Sequence, residues 1–250
     1  MSATDLAKSD ASWPSFVEYE QFILFGDSIT QGSCNQEKGF AFAPALQQDY
    51  GIRADYIRRF DVINRGFSLL NIIKQTVFFG ANDAVLPGFH QHVPLNVYED
   101  SLTKILTHPA VQAHGTKLLL LTPPPVNEYQ FFTHGPEPEP VSLQRRASQT
   151  KLYADAARRV GQTLNVPVVD IWTAFMTAVG WKEGEPLAGS KEAPPNEKLE
   201  ALLSDGLHFN PPAYKIMYEE VLKVIRECYP ELAPEEVPMN FPPWDSAPKR

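Results

Sequence analysis

Ser28 lies in Gly26-Asp27-Ser28-Ile29-Thr30, directly after the apolar run Phe22-Ile23-Leu24-Phe25. A serine hydroxyl is a weak nucleophile until a base takes its proton. A base stands near the other end of the chain, in Asp205-Gly206-Leu207-His208. In a turn, this spacing lets a carboxylate hold the imidazole Nδ1–H while Nε2 faces outward. Taken singly, Ser28 reads as a turn or N-cap serine, Asp205 as a capping residue and His208 as a surface histidine. Taken together they read as the nucleophile, orienter and base of a serine hydrolase. Asn82, in Gly80-Ala81-Asn82-Asp83, carries an amide N–H₂ that can meet a developing oxyanion. The same residue types also suit a plain turn.

These residues need elements to hold them. Gln21 to Phe25 reads as strand 1, a short continuous apolar run suited to a buried parallel sheet. A serine just past its carboxyl end sits where open α/β sheets hold ligands. Gln31-Gly32-Ser33 reads as a loop, and residues 40–57 carry helical spacing. Asp61 to Asn64 reads as strand 2 and Thr76 to Phe79 as strand 3. Pro94 to Leu106 is predicted helical with the proline in its first turn, Lys117 to Leu121 is strand 4, and residues 131–141 are an irregular loop. Ser142 to Leu164 is predicted helical, Pro167 to Asp170 is strand 5, and Trp172 to Val179 a further helix. Residues 184–196 form another loop before a last helix over Asn210 to Tyr229. Strands alternating with helices predict a single α/β domain with a doubly wound parallel sheet. Residues 1–20 are expected to be an N-terminal arm, 21–229 the domain, and 230–250 a proline-rich C-terminal tail lying extended over it.

Composition narrows the function classes. The formal net charge of −8 argues against a general affinity for nucleic acid or anionic membrane. No apolar run is long enough to span a bilayer, and the first residues lack a cationic start and an apolar h-region. Two cysteines in 250 residues, Cys34 and Cys228, fit a reducing compartment better than a disulfide framework. A cytoplasmic protein is the expectation.

The blocks Gly26-Asp27-Ser28-Ile29-Thr30, Asn64-Arg65-Gly66-Phe67-Ser68, Gly80-Ala81-Asn82-Asp83 and Asp205-Gly206-Leu207-His208-Phe209 resemble those of the SGNH (GDSL-type) hydrolase family. They look most like its isoamyl-acetate-hydrolysing esterase branch. The resemblance implies a flavodoxin-like five-stranded sheet of order 2-1-3-4-5. It implies Ser28 as nucleophile, His208 as general base and acid, and Asp205 as its orienter. It also implies Asn82 as an oxyanion donor beside the Ser28 backbone N–H. The implied activity is cleavage of short-chain carboxylic esters, a small-molecule substrate, with no cofactor and no metal, and a homodimer would fit the branch. There is no Gly-x-Ser-x-Gly elbow. The loops near 123–140 and 184–196 are candidates for shaping an acyl pocket, on position alone, and are equally ordinary as surface connections.

The chain departs from the family pattern at one junction. Where the motif continues with an oxyanion-donating glycine, this sequence has Leu69, in Ser68-Leu69-Leu70-Asn71. A leucine keeps its N–H, but glycine is used where the backbone needs φ > 0 or close approach to a ligand. The crossover between strands 2 and 3 is also shortened. A helix over Leu69 to Gln75 would span about 10 Å, against a strand length of about 17–20 Å, so a largely extended or distorted link is expected instead of an intact helix. Three readings compete: an ester hydrolase, a non-catalytic or impaired member of the fold (a truncated isoform or gene-model variant), and an acyl transferase to an alcohol.

Overall fold

The computed structural model describes residues 20–51, 60–64, 72–134 and 144–237. Its elements run β1 (Glu20–Gly26), α1 (Ser28–Gly32), α2 (Phe42–Gly51), β2 (Phe60–Asn64), β3 (Ile72–Phe78), α3 (Leu95–Leu106), α4 (Pro109–Ala113) and β4 (Lys117–Leu121). They continue α5 (Glu128–His134), α6 (Ala147–Leu164), β5 (Val168–Val169), α7 (Ile171–Ala178), α8 (Glu197–Leu202) and α9 (Pro211–Cys228), with a closing 3₁₀ turn (Pro230–Leu232). The described strands pair in parallel in the order β2-β1-β3-β4-β5.

Alternation along the strands divides the core in two. In β4, Leu119 and Leu121 join Phe22, Leu24 and Phe78 on one face, covered by Phe42 and Leu46 of α2, Phe175 of α7 and Met217, Val221 and Ile225 of α9. Leu118 and Leu120 join Val77 on the other face, covered by Tyr98, Leu102 and Leu106 of α3 and Tyr153, Ala157 and Val160 of α6. Burial on both faces explains why these strands read as continuous apolar runs.

Several elements differ from the sequence expectations. Gln31 and Gly32, expected in a loop, close the short helix α1, whose N-cap is Asp27. Phe131 to His134, expected to be irregular, is the end of α5. The helix expected from Ser142 begins at Ala147, because the buried Glu128 accepts from the Ala147 N–H at 2.9 Å. That cap comes from another element and leaves no local signal. The tail expected to run extended from Pro230 instead turns in 3₁₀ form, with Ala233 and Val237 buried.

Strand β3 begins at Ile72, four residues before the expected Thr76, so residues 72–75 are extended. Ile72 pairs with Gln21 and Lys74 with Phe22. Lys74 masks this strand in the sequence, since a lysine argues against a buried position. Its side chain is only 2 % exposed. The ammonium lies over the Tyr50 ring, 4.0 Å from its centroid, and donates to the Leu232 carbonyl. A cation–π contact and a carbonyl together compensate the buried charge. The Leu69 junction and the rest of the shortened crossover lie outside the described residues, as do residues 1–19 and 238–250.

The turn from β1 into α1 carries the nucleophile candidate, and it is tight. A Cβ at Gly26 would stand 2.1 Å from Thr30 Oγ1 and 2.6 Å from the Phe78 carbonyl oxygen of β3. Gly26→Ala must therefore push β1 from β3 or displace α1. We expect it to destabilise the fold by about 1–3 kcal/mol, as other overpacked sites do, and to lower activity as well, read by thermal unfolding beside an ester assay.

Candidate active site

Ser28 is the first residue of α1, where a backbone N–H has no intrahelical acceptor. Asp27 caps the helix by accepting from the Ile29 N–H at 3.0 Å. The cap aims the exposed Ser28 side chain out of the sheet edge. Tyr214 of α9 donates to the Ile29 carbonyl at 2.8 Å and ties the final helix to this turn.

Residues 204–210 bring His208 to Ser28. Asp205 Oδ1 accepts from the backbone N–H groups of Leu207 at 3.0 Å and His208 at 2.8 Å, which folds the turn around the carboxylate. Its other oxygen, Oδ2, lies 2.7 Å from His208 Nδ1. His208 Nε2 lies 2.9 Å from Ser28 Oγ. An ionised carboxylate can only accept, so Nδ1 carries the imidazole proton and Nε2 presents its lone pair to the serine hydroxyl. Gly206 makes the turn possible. Its φ is +87°, and a Cβ there would meet the Asn127 carbonyl oxygen at 2.5 Å and the Phe131 nitrogen at 2.7 Å. The Asn127 N–H donates back to the Gly206 carbonyl at 2.9 Å. Phe209, next to the histidine, packs its ring on Phe175 and Tyr214.

The electrostatics follow from these contacts. Burial opposes ionisation of Asp205, but the hydrogen bonds from the His208 ring and from the His208 and Leu207 backbone outweigh it and hold its pKa well below the usual carboxylate range. The same Asp205 hydrogen bond raises His208 above its ordinary 6.5. Partial burial and the Arg145 charge work against that rise, and the Asp205 and Asp27 charges support it.

Asn82 sits in the turn after β3. Asp83 Oδ2 accepts from the Gly80 N–H at 3.1 Å, and the Ala84 N–H donates to the Gly80 carbonyl at 3.0 Å. Burial raises the pKa of Asp27, and the charge of Asp83 raises it further, so the turns bearing Ser28 and Asn82 share one electrostatic environment. Among the described residues, Asn82 makes no hydrogen bond to Ser28 or His208; its Oδ1 accepts from Arg145 Nη2 at 3.3 Å. The structure thus joins Ser28, His208 and Asp205 in one hydrogen-bonded line and places Asn82 on a separate support. Arg145 was not singled out by the sequence. It is one of two adjacent arginines, and neither residue type nor spacing distinguishes it.

A cavity of about 160 Å³ opens beside the line, with Ser28, Gly32, Phe40, His208, Phe209 and Tyr214 among its lining residues. The 184–196 loop does not shape it. That loop lines a different cavity, of about 300 Å³, against Val179 and Trp181. Residues 127–131 support the Gly206 turn instead of bordering the cavity. Among the described residues, no group of three or more His, Cys, Asp or Glu side chains is placed to hold a metal, and Cys34 and Cys228 are both exposed and in no disulfide.

The geometry can deprotonate Ser28 only while His208 is neutral. Because the histidine pKa is raised, the competent form is lost as pH falls through a value above 6.5. We expect the acid limb of any Ser28-dependent activity to lie above 6.5. Asp205→Asn should move that limb down, since it removes the main cause of the rise. It should also lower kcat by about 10⁴-fold, as loss of the orienting carboxylate frees the wrong tautomer. A kcat/KM profile from pH 5 to 9 for both proteins checks this; an unmoved limb would separate it from the Asp205–His208 contact.

The model of the GDSL-like Lipase/Acylhydrolase family matches residues 24–216. The chain is 28% identical over 251 residues to the isoamyl acetate-hydrolyzing esterase of Saccharomyces cerevisiae, covering 91% of this chain and 95% of that protein. It is 30% identical over 241 residues to the isoamyl acetate-hydrolyzing esterase 1 homolog of Rattus norvegicus, covering 84% of this chain and 82% of that one. Among solved structures, an acetyl xylan esterase superposes with a TM-score of 0.59 at 18% identity, covering 82% of this chain and 99% of its own. At that identity the likeness speaks for the fold alone.

Proposed function

The chain belongs to the GDSL-like lipase/acylhydrolase family, and on that premise we propose that it hydrolyses short-chain carboxylic esters through an acyl-enzyme on Ser28. The observation that carries this reading is the continuous line from Asp205 through His208 to Ser28, at 2.7 and 2.9 Å. Ser28 Oγ attacks the ester carbonyl carbon as its proton passes to His208 Nε2. The Asn82 amide and the Ser28 backbone N–H receive the oxyanion. Collapse expels the alcohol oxygen, which takes the proton from His208. Water then attacks the acyl carbon, gives its proton to His208, and the acid leaves as that proton returns to Ser28 Oγ.

The cavity volume favours small acyl groups, since about 160 Å³ is well below the roughly 300–1,000 Å³ of drug-sized pockets. Water access favours hydrolysis over transfer to an alcohol, because Ser28 is exposed and the His208 side chain is 42% exposed. A non-catalytic role is the weaker reading, as nothing selects the alignment of three side chains in a mere scaffold. We read the sheet as flavodoxin-like and doubly wound, which its strand order and two covered faces support. We also take 21–229 as the hydrolase unit, with the tail beyond it packed on the domain. Two exposed cysteines that form no disulfide favour a reducing, cytoplasmic setting.

Purified protein assayed on p-nitrophenyl acetate, butyrate and octanoate tests the reading. We expect kcat/KM to fall by about tenfold or more from the short esters to octanoate, since the longer chain cannot be enclosed. Ser28→Ala should lose at least about 10⁴-fold in kcat. Equal turnover by the two proteins would rule out Ser28 as the nucleophile.

A further inference from the structure

We infer that Arg145 is a positioning residue that fixes the Asn82 side-chain amide with its N–H₂ turned away from the guanidinium, toward an incoming oxyanion. The inference rests on the reading of Ser28 and Asn82 given above. Arg145 lies just before α6 and is only 4% exposed. Its guanidinium donates to the Ala81 carbonyl, to Asn82 Oδ1 at 3.3 Å and to Gln91 Oε1 at 3.1 Å. Its guanidinium lies over the Phe131 ring, with Cζ 5.4 Å from the centroid. The neighbouring Gln144 carbonyl accepts from the Leu86 N–H at 2.8 Å, which pins the segment to the same turn.

The choice of partners is what suggests a role. A buried guanidinium ordinarily pairs with a carboxylate. Among the described residues, none lies within ion-pair distance of Arg145; its three hydrogen bonds go to neutral oxygens, two of them on Ala81 and Asn82. Asp27, Asp83 and Asp205 balance its charge only at longer range. Arginine has no acceptor, so an Asn82 amide facing it must present Oδ1 and send Nδ2 elsewhere. Without that contact the two ends of the amide are nearly equivalent and can exchange. A cation on Oδ1 also polarises the amide and strengthens its N–H as a donor. The 3.3 Å contact is long for a resting hydrogen bond, and such contacts commonly tighten when the reacting species binds.

A double-mutant cycle separates positioning from simple support. We expect Arg145→Met to lower kcat on p-nitrophenyl acetate by about 10²-fold, near the 10²–10³ for loss of an oxyanion donor, with KM changed by less than about threefold. Arg145→Lys keeps the charge but not the fork and should fall between. Adding Asn82→Ala to either variant should cost less than about threefold beyond Asn82→Ala alone. Losses that multiply, or an unchanged kcat in a folded variant, would overturn the proposal. Arg145→Lys carries the cycle if Arg145→Met does not fold. Full turnover by Ser28→Ala would instead remove the reading beneath it, whereas multiplied losses with an inactive Ser28→Ala would remove the Arg145 proposal alone.

Discussion

The Asp205 carboxylate organises its own turn and the His208 ring at once. One oxygen accepts two backbone N–H groups and so closes the turn, and the other holds the imidazole that the turn delivers. A carboxylate with three donors stays ionised, and an ionised carboxylate keeps the histidine in one tautomer. The backbone fold of residues 205–208 and the protonation pattern of His208 are therefore one constraint. Everything else in the site has to meet the Nε2 position that this constraint sets.

The sheet meets it from the other side. Parallel strands put their carboxyl ends on one edge, so the turns after β1 and β3 emerge next to each other although more than fifty residues separate Ser28 from Asn82. The final helix closes the arrangement through Tyr214, which reaches the first turn of α1, and through Phe209, packed against Phe175 and Tyr214. Gly26 and Gly206 are needed because backbone from other elements, at Phe78 and Asn127, passes where their side chains would be. Those close approaches give Ser28 and His208 positions fixed by the fold, and fixed positions are what make a 2.9 Å contact between residues 180 apart useful.

What was legible in the sequence was whatever is locally encoded. The strand runs around Phe22 and Leu119, the serine after the first of them and the Asp-x-x-His spacing all carry their meaning within a few residues. What was not legible depends on contacts from afar. The start of α6 is capped by Glu128, a residue with no sequence relation to Ala147. The first half of β3 contains Lys74, which looks exposed until Tyr50 and the Leu232 carbonyl supply its partners. The short helix α8 is a different case: Asn196 caps it at the Leu199 N–H, a signal carried within its own few residues. Arg145 is the clearest long-range case, since its role is defined wholly by the carbonyl and amide oxygens it reaches.

Beneath the reacting atoms the site is poor in local compensation. Burial raises both Asp27 and Asp83, and their mutual repulsion raises Asp27 further. Burial pushes Arg145 down to about 10, still charged at neutral pH. A core that only had to be stable would pair these groups directly or replace them with apolar side chains. Here each carboxylate instead accepts backbone N–H groups in the turns bearing Ser28 and Asn82, and the guanidinium holds the second turn by its oxygens. Charges arranged this way hold the backbone of both turns in place. On the proposed mechanism, dipoles fixed in advance favour a transient oxyanion without reorganising around it.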